Sequence, residues 1–384
     1  MIESVKKIFR GARSKLIDFD DARTARFYLR AQTRQMFTPE FRAIWEKSDL
    51  TDKQKKAVDE FWLENYGEKI SHVWHRFYTC FTGNFDVCYV PDSIYLTEAE
   101  RFMNSKPEYV RVLQDKNLIP LIAKGAGVKT PETVVSCTNG VLRDGGNNII
   151  TEKEAVSILT DAGEVFFKPS LDSCGGASCR CMNYAVGGGH DVFSRSDFVI
   201  QRRLKCHSSI AEIYSGSVNT FRIVTYLWRG TINHCPLVFR IGRGNANVDN
   251  ASSGGMFIAV DDDGTLHKNA RTEYGLSFSE HPDTHIVFEG RKISFTDRAI
   301  EAAKKMHYQI PQVGMINWDF TIDQNGDPVM IEGNMFYGGG IWLSQDSHGR
   351  GIFGDKTAEI LQWLRVMKKV KRIDRKKYMY GNIV

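Results

Sequence analysis

Apolar and polar positions over the first hundred or so residues recur at helical spacing. Asp20–Gln35 and Thr51–Asn65 mix charged and apolar residues with a period near 3.6, which predicts two helices. Ser71–Phe81 is aromatic-rich and reads as helix. It holds His72 and His75, an i, i+3 pair able to grip a metal, yet no third ligand is evident and a packed helix explains the pair as well. Pro91 and Leu96–Met103 predict a connector. From about residue 111 the pattern shortens. Pro120–Ala126 predicts a helix ended by Gly127, and Thr130-Pro131 opens a strand through Val135. Glu164–Lys168, Phe198–Arg203, Thr220–Trp228, Pro236–Ile241 and Met256–Val260 are strand candidates, with a turn at Gly187–Gly189. Asp297–Met306 and Lys356–Lys369 read as helices. The mixture predicts an α+β chain with antiparallel sheets, not a doubly wound nucleotide fold.

The sharpest alternation is near the C-terminal end. Ile316, Trp318 and Phe320 alternate with Asn317 and Asp319, and Pro328–Asn334 runs back after Asn325-Gly326. An Asn-Gly pair tolerates positive φ and marks a tight turn. A turn centred there sets Asp319 opposite Glu332 and Asn317 opposite Asn334, on one face because strand side chains alternate. Opposed Cβ atoms lie about 4.5–5.5 Å apart. Two carboxylates that close repel unless a cation lies between them, and hard oxygen ligands at that spacing suit Mg²⁺. The competing reading is the solvent side of an edge hairpin. A bulge at the turn would shift the register by one and break the acid pairing.

Composition narrows the class. With 384 residues, 42% hydrophobic and 25% charged, the chain is an ordinary globular protein with room for two or three domains. No apolar run approaches the roughly 20 residues of a membrane span, and the N-terminus lacks a signal-peptide core, so a cytoplasmic protein is expected. The eight cysteines include no repeated CxxC pair, and free thiols are the default. Cys174, Cys179, Cys181 and Cys206 stand closest, without the paired knuckles of a zinc site. The net charge of +5 gathers at the two ends, where Lys6, Lys7, Arg10, Arg13 and Lys15 open the chain and Lys368, Lys369, Lys371 and Arg372 lie in the tail. Both ends read as helical, with Val5, Ile8 and Phe9 or Leu361, Leu364 and Val366 interleaved, and their charges are solvated faces or, alternatively, attract an acidic polymer or the inner face of an anionic membrane. No nucleic-acid motif accompanies the charge.

Lys168 closes the apolar run Val165-Phe166-Phe167 and must keep its ammonium hydrated or paired. It is either a snorkelling strand-end lysine or a phosphate contact. Beyond it lie Ser173, Cys174, Gly175 and Gly176, small residues that let backbone N–H groups approach phosphate. Val199-Ile200-Gln201-Arg202-Arg203-Leu204 is a strand entering a polar stretch that can meet a purine edge.

In order along the chain, these pieces resemble the ATP-grasp superfamily, most closely the sugar-transfer-associated ATP-grasp family. The resemblance runs over about residues 90–360. It rests on Asp115-Lys116, Gly127-Val128-Lys129-Thr130-Pro131, Val165–Pro169 with Gly175-Gly176, Phe198–Gln201 with His207, Asn219-Thr220-Phe221-Arg222, Val248-Asp249-Asn250 with Gly254-Gly255, Trp318-Asp319, and Glu332-Gly333-Asn334. Many members carry a glutamate at the hinge, where this chain has Arg202 and Arg203 after Gln201. The basic helical start also differs from the usual domain preceding the grasp module.

The resemblance implies two α+β subdomains clamping ATP, preceded by a helical region: 1–110 helical, 111–205 a small lobe with the glycine loop, 206–384 a large lobe with the metal site. It implies ATP and one or two Mg²⁺ ions. Lys116, Lys168, Ser173, Gly175, Gly176, Gln201, Arg202, Leu204, His207 and Asn250 would bind nucleotide, and Asp319, Glu332 and Asn334 the metal. Arg222, with Lys168 and Arg240, would act on the transferred phosphoryl group or the carboxylate, although Arg240 and Arg243 read equally well as structural ion pairs. Tyr337–Trp342, with three glycines between aromatics, is either a sugar platform or a flexible connection. The activity implied is ADP-producing carboxylate–amine ligation through an acyl phosphate, modifying a capsular or exopolysaccharide or its sugar precursor. The alternatives are an ATP-grasp phosphotransferase and a nucleotide-regulated binding protein of a glycan-assembly complex.

Overall fold

Two antiparallel sheets hold the β-structure of the computed structural model, which describes residues 2–106, 109–171, 178–187, 190–244, 246, 249–251, 254–335 and 341–381. The first sheet comprises β1 (Thr133–Thr138), β2 (Val141–Asp144), β3 (Glu164–Pro169), β4 (Arg180–Asn183) and β5 (Phe198–Arg202), in the order β2-β1-β5-β3-β4. The second comprises β6 (Thr220–Trp228), β7 (Thr231–His234), β8 (Leu237–Ile241), β9 (Met256–Val260), β10 (Ala270–Arg271), β11 (Ser277–Phe278), β12 (Met315–Ile322) and β13 (Pro328–Asn334). Its order is β11-β10-β9-β8-β6-β12-β13, with β7 also paired to β6. The α+β architecture with antiparallel sheets is as expected.

Among the elements outside the pattern-based expectation, two carry clear signals in the sequence. The β1–β2 hairpin turns at Asn139-Gly140, whose φ values of +50° and +79° suit a two-residue turn of the Asn-Gly kind. Helix Glu152–Ala162 opens on a capping box: Thr151 Oγ1 accepts from the Glu154 N–H, and the Glu154 side chain accepts from the Thr151 N–H at 2.7 Å. Such a cap contributes about 1 kcal/mol.

The segment expected as a connector is helical instead. Asp92–Ile94, a π turn at Tyr95–Ala99 and Glu100–Met103 form one continuous run. Tyr95, Ala99, Phe102 and Met103 are buried in a core shared with Trp363, Leu364 and Val224, and this tertiary burial outweighs the local signal. Asn104 ends the run. Its Nδ2 donates to the Met315 carbonyl at 2.9 Å and its Oδ1 accepts from the Met315 N–H at 2.8 Å. The helical region is thereby fastened to the first residue of β12.

The N-terminal helix spans Ile2–Met36, so the basic first 35 residues are helical as expected, continuous with the Asp20–Gln35 span. It docks through carboxylates on its inner side: Asp21 pairs with Arg101 and with Arg375 Nη1 (2.6 Å), and Asp18 accepts from the Arg372 N–H at 2.9 Å. His75 is fully buried, with Nε2 3.2 Å from the Val87 carbonyl, and burial pushes its imidazole down to about 4. His72 instead pairs with Asp59 at 2.8 Å, so the two histidines take separate structural partners.

The two sheets are tied beside the C-terminal hairpin. Lys129 bridges Val329 in parallel, with the Met330 N–H 2.9 Å from the Lys129 carbonyl, and the His207 N–H donates to the Ile322 carbonyl at 2.8 Å. Behind the second sheet, Phe221, Ile223, Ile316, Trp318 and Phe320 pack with Ala299, Ala303 and Met306 of helix Thr296–Gln309 in the largest core. Trp318 faces Gly333, where an added Cβ would sit 2.7 Å from the ring, so glycine there makes room for the indole.

Candidate active site

The polar face of the second sheet forms a row across four strands. Arg240 of β8 lies opposite Thr220 of β6, Arg222 of β6 opposite Asp319 of β12, and Asp319 opposite Glu332 of β13. Asn317 lies opposite Asn334. The acid pairing expected from the hairpin is present, but its route differs. Gly326, at φ +83°, follows a turn closed by its N–H on the Asp323 carbonyl, so the pairs next to the turn are Ile322↔Pro328, Thr321↔Val329 and Phe320↔Met330. That register is one residue off. A bulge between Asp319 and Phe320 leaves Ile331 without a partner and restores Asp319 to Glu332. Two irregularities cancel where either alone would have turned one acid to the apolar side.

Asp319 is buried and doubly held. Arg222 Nε donates to Oδ1 at 2.6 Å and Nη2 to Oδ2 at 3.2 Å, while Arg240 Nη2 lies 3.1 Å from Oδ2. Arg240 also reaches Asp249 Oδ1 at 3.2 Å and takes Thr220 Oγ1 as acceptor at 2.7 Å. Burial alone would raise the Asp319 pKa, but the two guanidinium groups overcome it and hold the carboxyl below its usual range. The same two carboxylates, with Glu332, hold Arg240 above its ordinary value against the opposing effect of burial. Removing one partner from such a cluster costs about 3–5 kcal/mol. Thr220 and Asp249 stand in two stretches that carry the family resemblance, but nothing in the local sequence indicates that they meet.

The first sheet supplies the facing wall. Along β3, Val165 and Phe167 enter the small core, while Glu164, Phe166 and Lys168 point to the opposite side. Gln201 of β5 pairs with Phe166 and shares that side. Lys116 arrives on a loop fastened to the end of β3: its N–H donates to the Ser170 carbonyl at 3.0 Å, and the Ser170 hydroxyl donates to Asp115. Lys116 Nζ then lies 3.8 Å from Glu332 Oε2. Lys168 forms no ion pair among the described residues. Burial lowers its pKa, the nearby Glu332 opposes that, and Lys116 adds to it.

The walls enclose a cavity of about 850 Å³ lined by Lys116, Lys168, Gln201, Arg202, Leu204, Arg240, Asn250, Asp319 and Glu332 among others. Arg202 spends its guanidinium on Glu132, at 3.0 and 3.3 Å, and on the Ala162 carbonyl at 3.1 Å. Asn250 Oδ1 accepts from Arg240 at 3.3 Å. His207 is not part of the wall. Its ring packs edge-on to Phe295 and its Nδ1 lies 3.0 Å from Ser209 Oγ. Asn334 stands beside the wall with Nδ2 on Glu332 Oε1 at 3.1 Å. The expected contacts of Ser173, Gly175, Gly176 and the Tyr337–Gly340 run lie outside the described residues. Cys179, Cys181 and Cys206 line the same cavity, and among the described residues no group of three metal ligands includes a cysteine. The Tyr214–Val218 stretch also lines it without any signal in the sequence pattern.

A fit to nucleotide and metal is testable on these atoms. Gln201 Oε1 is buried without a hydrogen-bond partner among the described residues, as an acceptor awaiting an amine would be. Glu332 offers a half-exposed carboxylate, and Asn334, donating through Nδ2, keeps its amide oxygen as a hard ligand. Asp319 has given at least three of its four lone-pair positions to arginine, so it can share only one. The donor set fits one ion on Glu332 and Asn334 with Asp319 at its edge.

Comparison with known proteins bears on the same strands. The family model described as sugar-transfer associated ATP-grasp matches residues 177–359. No curated protein matches the sequence. Among solved structures, the D-alanine–D-alanine ligase of Bacillus anthracis complexed with ATP is similar at 12% identity over 69% of this chain and 67% of that one, with a TM-score of 0.37. The N5-carboxyaminoimidazole synthetase of Staphylococcus aureus complexed with ADP is similar at 15% identity over 62% of this chain and 50% of that one, also at 0.37. The L-amino acid ligase of Bacillus licheniformis is similar at 12% identity over 72% of this chain and 51% of that one, at 0.38. This chain thus spans about half the length of the carboxyaminoimidazole synthetases it resembles. Lys116 and Lys168 precede the matched segment, which holds Arg222, Arg240, Asp319, Glu332 and Asn334: over residues 177–359 the chain is similar to the sugar-transfer associated ATP-grasp family.

Proposed function

We propose that the protein is an ATP-dependent carboxylate–amine ligase that works through an acyl phosphate. The observation carrying this reading is the convergence of Lys116, Lys168 and Glu332 on one cavity whose floor is the Asp319–arginine cluster. Lys116 and Lys168 would bind the phosphate chain, and Gln201 Oε1 would accept from the exocyclic amine of adenine. Glu332 and Asn334, with Asp319, would hold Mg²⁺, which would offset the charge that builds up during phosphoryl transfer. In this reading residues 111–205 form the lobe that closes over 206–384 and keeps water from the acyl phosphate.

A substrate carboxylate oxygen attacks the γ-phosphorus and ADP leaves. An amine then attacks the acyl carbon, losing a proton, and inorganic phosphate departs. Arg240 lies on the floor where anionic oxygens would collect, and its planar fork suits carboxylate or phosphoryl groups, whereas Arg222, expected to act there too, is not in the cavity lining and backs the floor through Asp319. The family's tie to sugar transfer makes a uronic acid, or a related acid of a capsular or exopolysaccharide precursor, the carboxylate of choice. With Mg-ATP, ADP release is expected only when a carboxylate and an amine are both supplied. A stable phosphorylated product formed without amine would instead indicate a phosphotransferase, and AMP release would exclude both.

A place beside an anionic membrane is supported by the N-terminal helix. Its outer side presents Leu16, Phe19 and Phe27, at 70%, 63% and 65% exposure, among exposed Lys15, Arg23, Arg26 and Arg30. Asp18 and Asp21 are turned inward onto arginines, and Asp20 is paired with Arg23 at 2.9 Å. Apolar bulk with an excess of cations suits the headgroup region. Among the described residues no helix is long and apolar enough to cross a membrane, so contact would be peripheral. The protein is expected to sediment with vesicles containing phosphatidylglycerol but not with pure phosphatidylcholine, and to release as salt rises. Equal recovery with both vesicles, or no change in Phe19→Ser/Phe27→Ser, would reject the idea.

A further inference from the structure

We propose that Asp261, His267 and His348 form a binding site for one divalent cation of the zinc class, outside the nucleotide cavity. The proposal stands on geometry alone and not on the ligase reading. β9 ends at Val260 and the chain reverses at once: the Asp261 N–H donates to the Thr265 carbonyl at 2.9 Å, and the Gly264 N–H to the Asp261 carbonyl at 2.8 Å. Only glycine suits position 264, at φ +91°, because a Cβ would lie 2.1 Å from the Ile293 carbonyl oxygen. The His267 N–H returns to the Ala259 carbonyl at 3.0 Å. His267 therefore stands opposite Ala259 and shares a face with Asp261, two residues on. His267 Nε2 lies 3.0 Å from Asp261 Oδ1.

The third ligand comes from helix Ile341–His348, whose last residue packs over this hairpin. His348 Nε2 donates to the Leu237 carbonyl at 2.6 Å, and its ring centroid is 5.1 Å from that of His267. A backbone carbonyl on one imidazole nitrogen fixes the tautomer and leaves the lone pair on the other, the arrangement of metal-bound histidines. One ligand atom from each residue lies within 4.8 Å of the others, and among the described residues no second trio of this kind occurs. Tetrahedral zinc at about 2.0–2.1 Å needs ligand separations of about 3.3 Å. The remaining closure falls to His267 and Asp261, whose side chains are 39% and 54% exposed and free to rotate.

Two imidazoles and one carboxylate suit zinc or cobalt and disfavour magnesium and calcium, which take all-oxygen sets. A bound ion would fasten the helix that follows Glu332 and Asn334 to the β9 hairpin. The test uses the full chain, stripped with chelator and titrated with Co²⁺ and then Zn²⁺ in excess Mg²⁺. One equivalent of Co²⁺ should bind with the visible bands of a four-coordinate ion, and Zn²⁺ should displace it and raise the melting temperature. His267→Ala, at an exposed position, should keep the fold, abolish the bands and weaken Zn²⁺ at least about tenfold. Asp261→Asn should weaken binding in the same direction. Absence of stoichiometric Co²⁺ binding, or unchanged binding in His267→Ala, overturns the site. Neither readout depends on ATP turnover.

Discussion

Glu332→Gln is expected to lower the proposed ATP turnover by on the order of 10²–10³-fold or more, the scale of losing one preorganised charge at a transferring group, and to leave the fold intact. The side chain is 34% exposed, and its partners are Asn334 at 3.1 Å and Lys116 at 3.8 Å. A half-exposed pair of that length is worth about 0–1 kcal/mol. Glutamine keeps the volume and an acceptor oxygen for Asn334, so the melting temperature should move by a few degrees at most. What it loses is the negative charge facing Lys116, Lys168 and the proposed metal position. Asp319→Asn does not separate these effects. Asp319 is buried against Arg222 and Arg240, and its change leaves cationic partners short of charge, at about 3–5 kcal/mol. ADP release and a thermal melt on purified Glu332→Gln decide the matter. Undiminished turnover in a folded variant removes Glu332 from the machinery.

Asp92→Asn is expected to stabilise the protein at pH 8, by up to about 4 kcal/mol, with no gain near pH 4. Burial holds the Asp92 carboxyl up to about 7, from an ordinary 3.8, against the opposing hydrogen bond from the Tyr78 hydroxyl at 3.1 Å. Asp346 sits nearby, fully buried with both carboxylate oxygens unpartnered among the described residues, and burial raises it well above the ordinary range. Between pH 4 and 7 the folded chain keeps the Asp92 proton that the unfolded chain has released. Stability from this group is therefore greatest below about pH 4, falls as pH rises, and has reached its full loss above 7. Three pH units at 1.36 kcal/mol each give the figure of about 4 kcal/mol. Asparagine cannot ionise and still accepts from Tyr78. Denaturant midpoints from pH 4 to 8 should show the variant's advantage growing with pH, and an advantage constant across that range would contradict the assignment.

Some of this site was legible in the chain itself because its signals are local. Strand alternation puts Asp319 and Glu332 on the polar side of their strands, Asn325-Gly326 marks the reversal between them, and a lysine following an apolar run places Lys168 near the end of β3. The helical start was legible for the same reason, as were β1, β3, β5, β6, β8, β9 and the β12–β13 hairpin, whereas β2, β4, β7, β10 and β11 were not. Tyr95–Met103 was not, since its helix depends on Trp363 and Val224, which are distant in sequence. His207 follows the hinge in sequence order, yet its ring turns to Phe295. Sequence order does not specify where a side chain at a helix cap will point.

Residue order alone determined which groups are available: two lysines, two arginines, two acids and two amides, with the period that faces the last four the same way. Tertiary structure alone decided how they share charge. The strand order β8-β6-β12-β13 carries Arg222 to Asp319 and Arg240 to both Asp319 and Asp249, and a bulge at Ile331 compensates for the turn beside Gly326. The reason is physical. Alternation is a property of each strand, but lateral pairing and bulges follow from burying both faces of the whole sheet, and no local stretch encodes that balance.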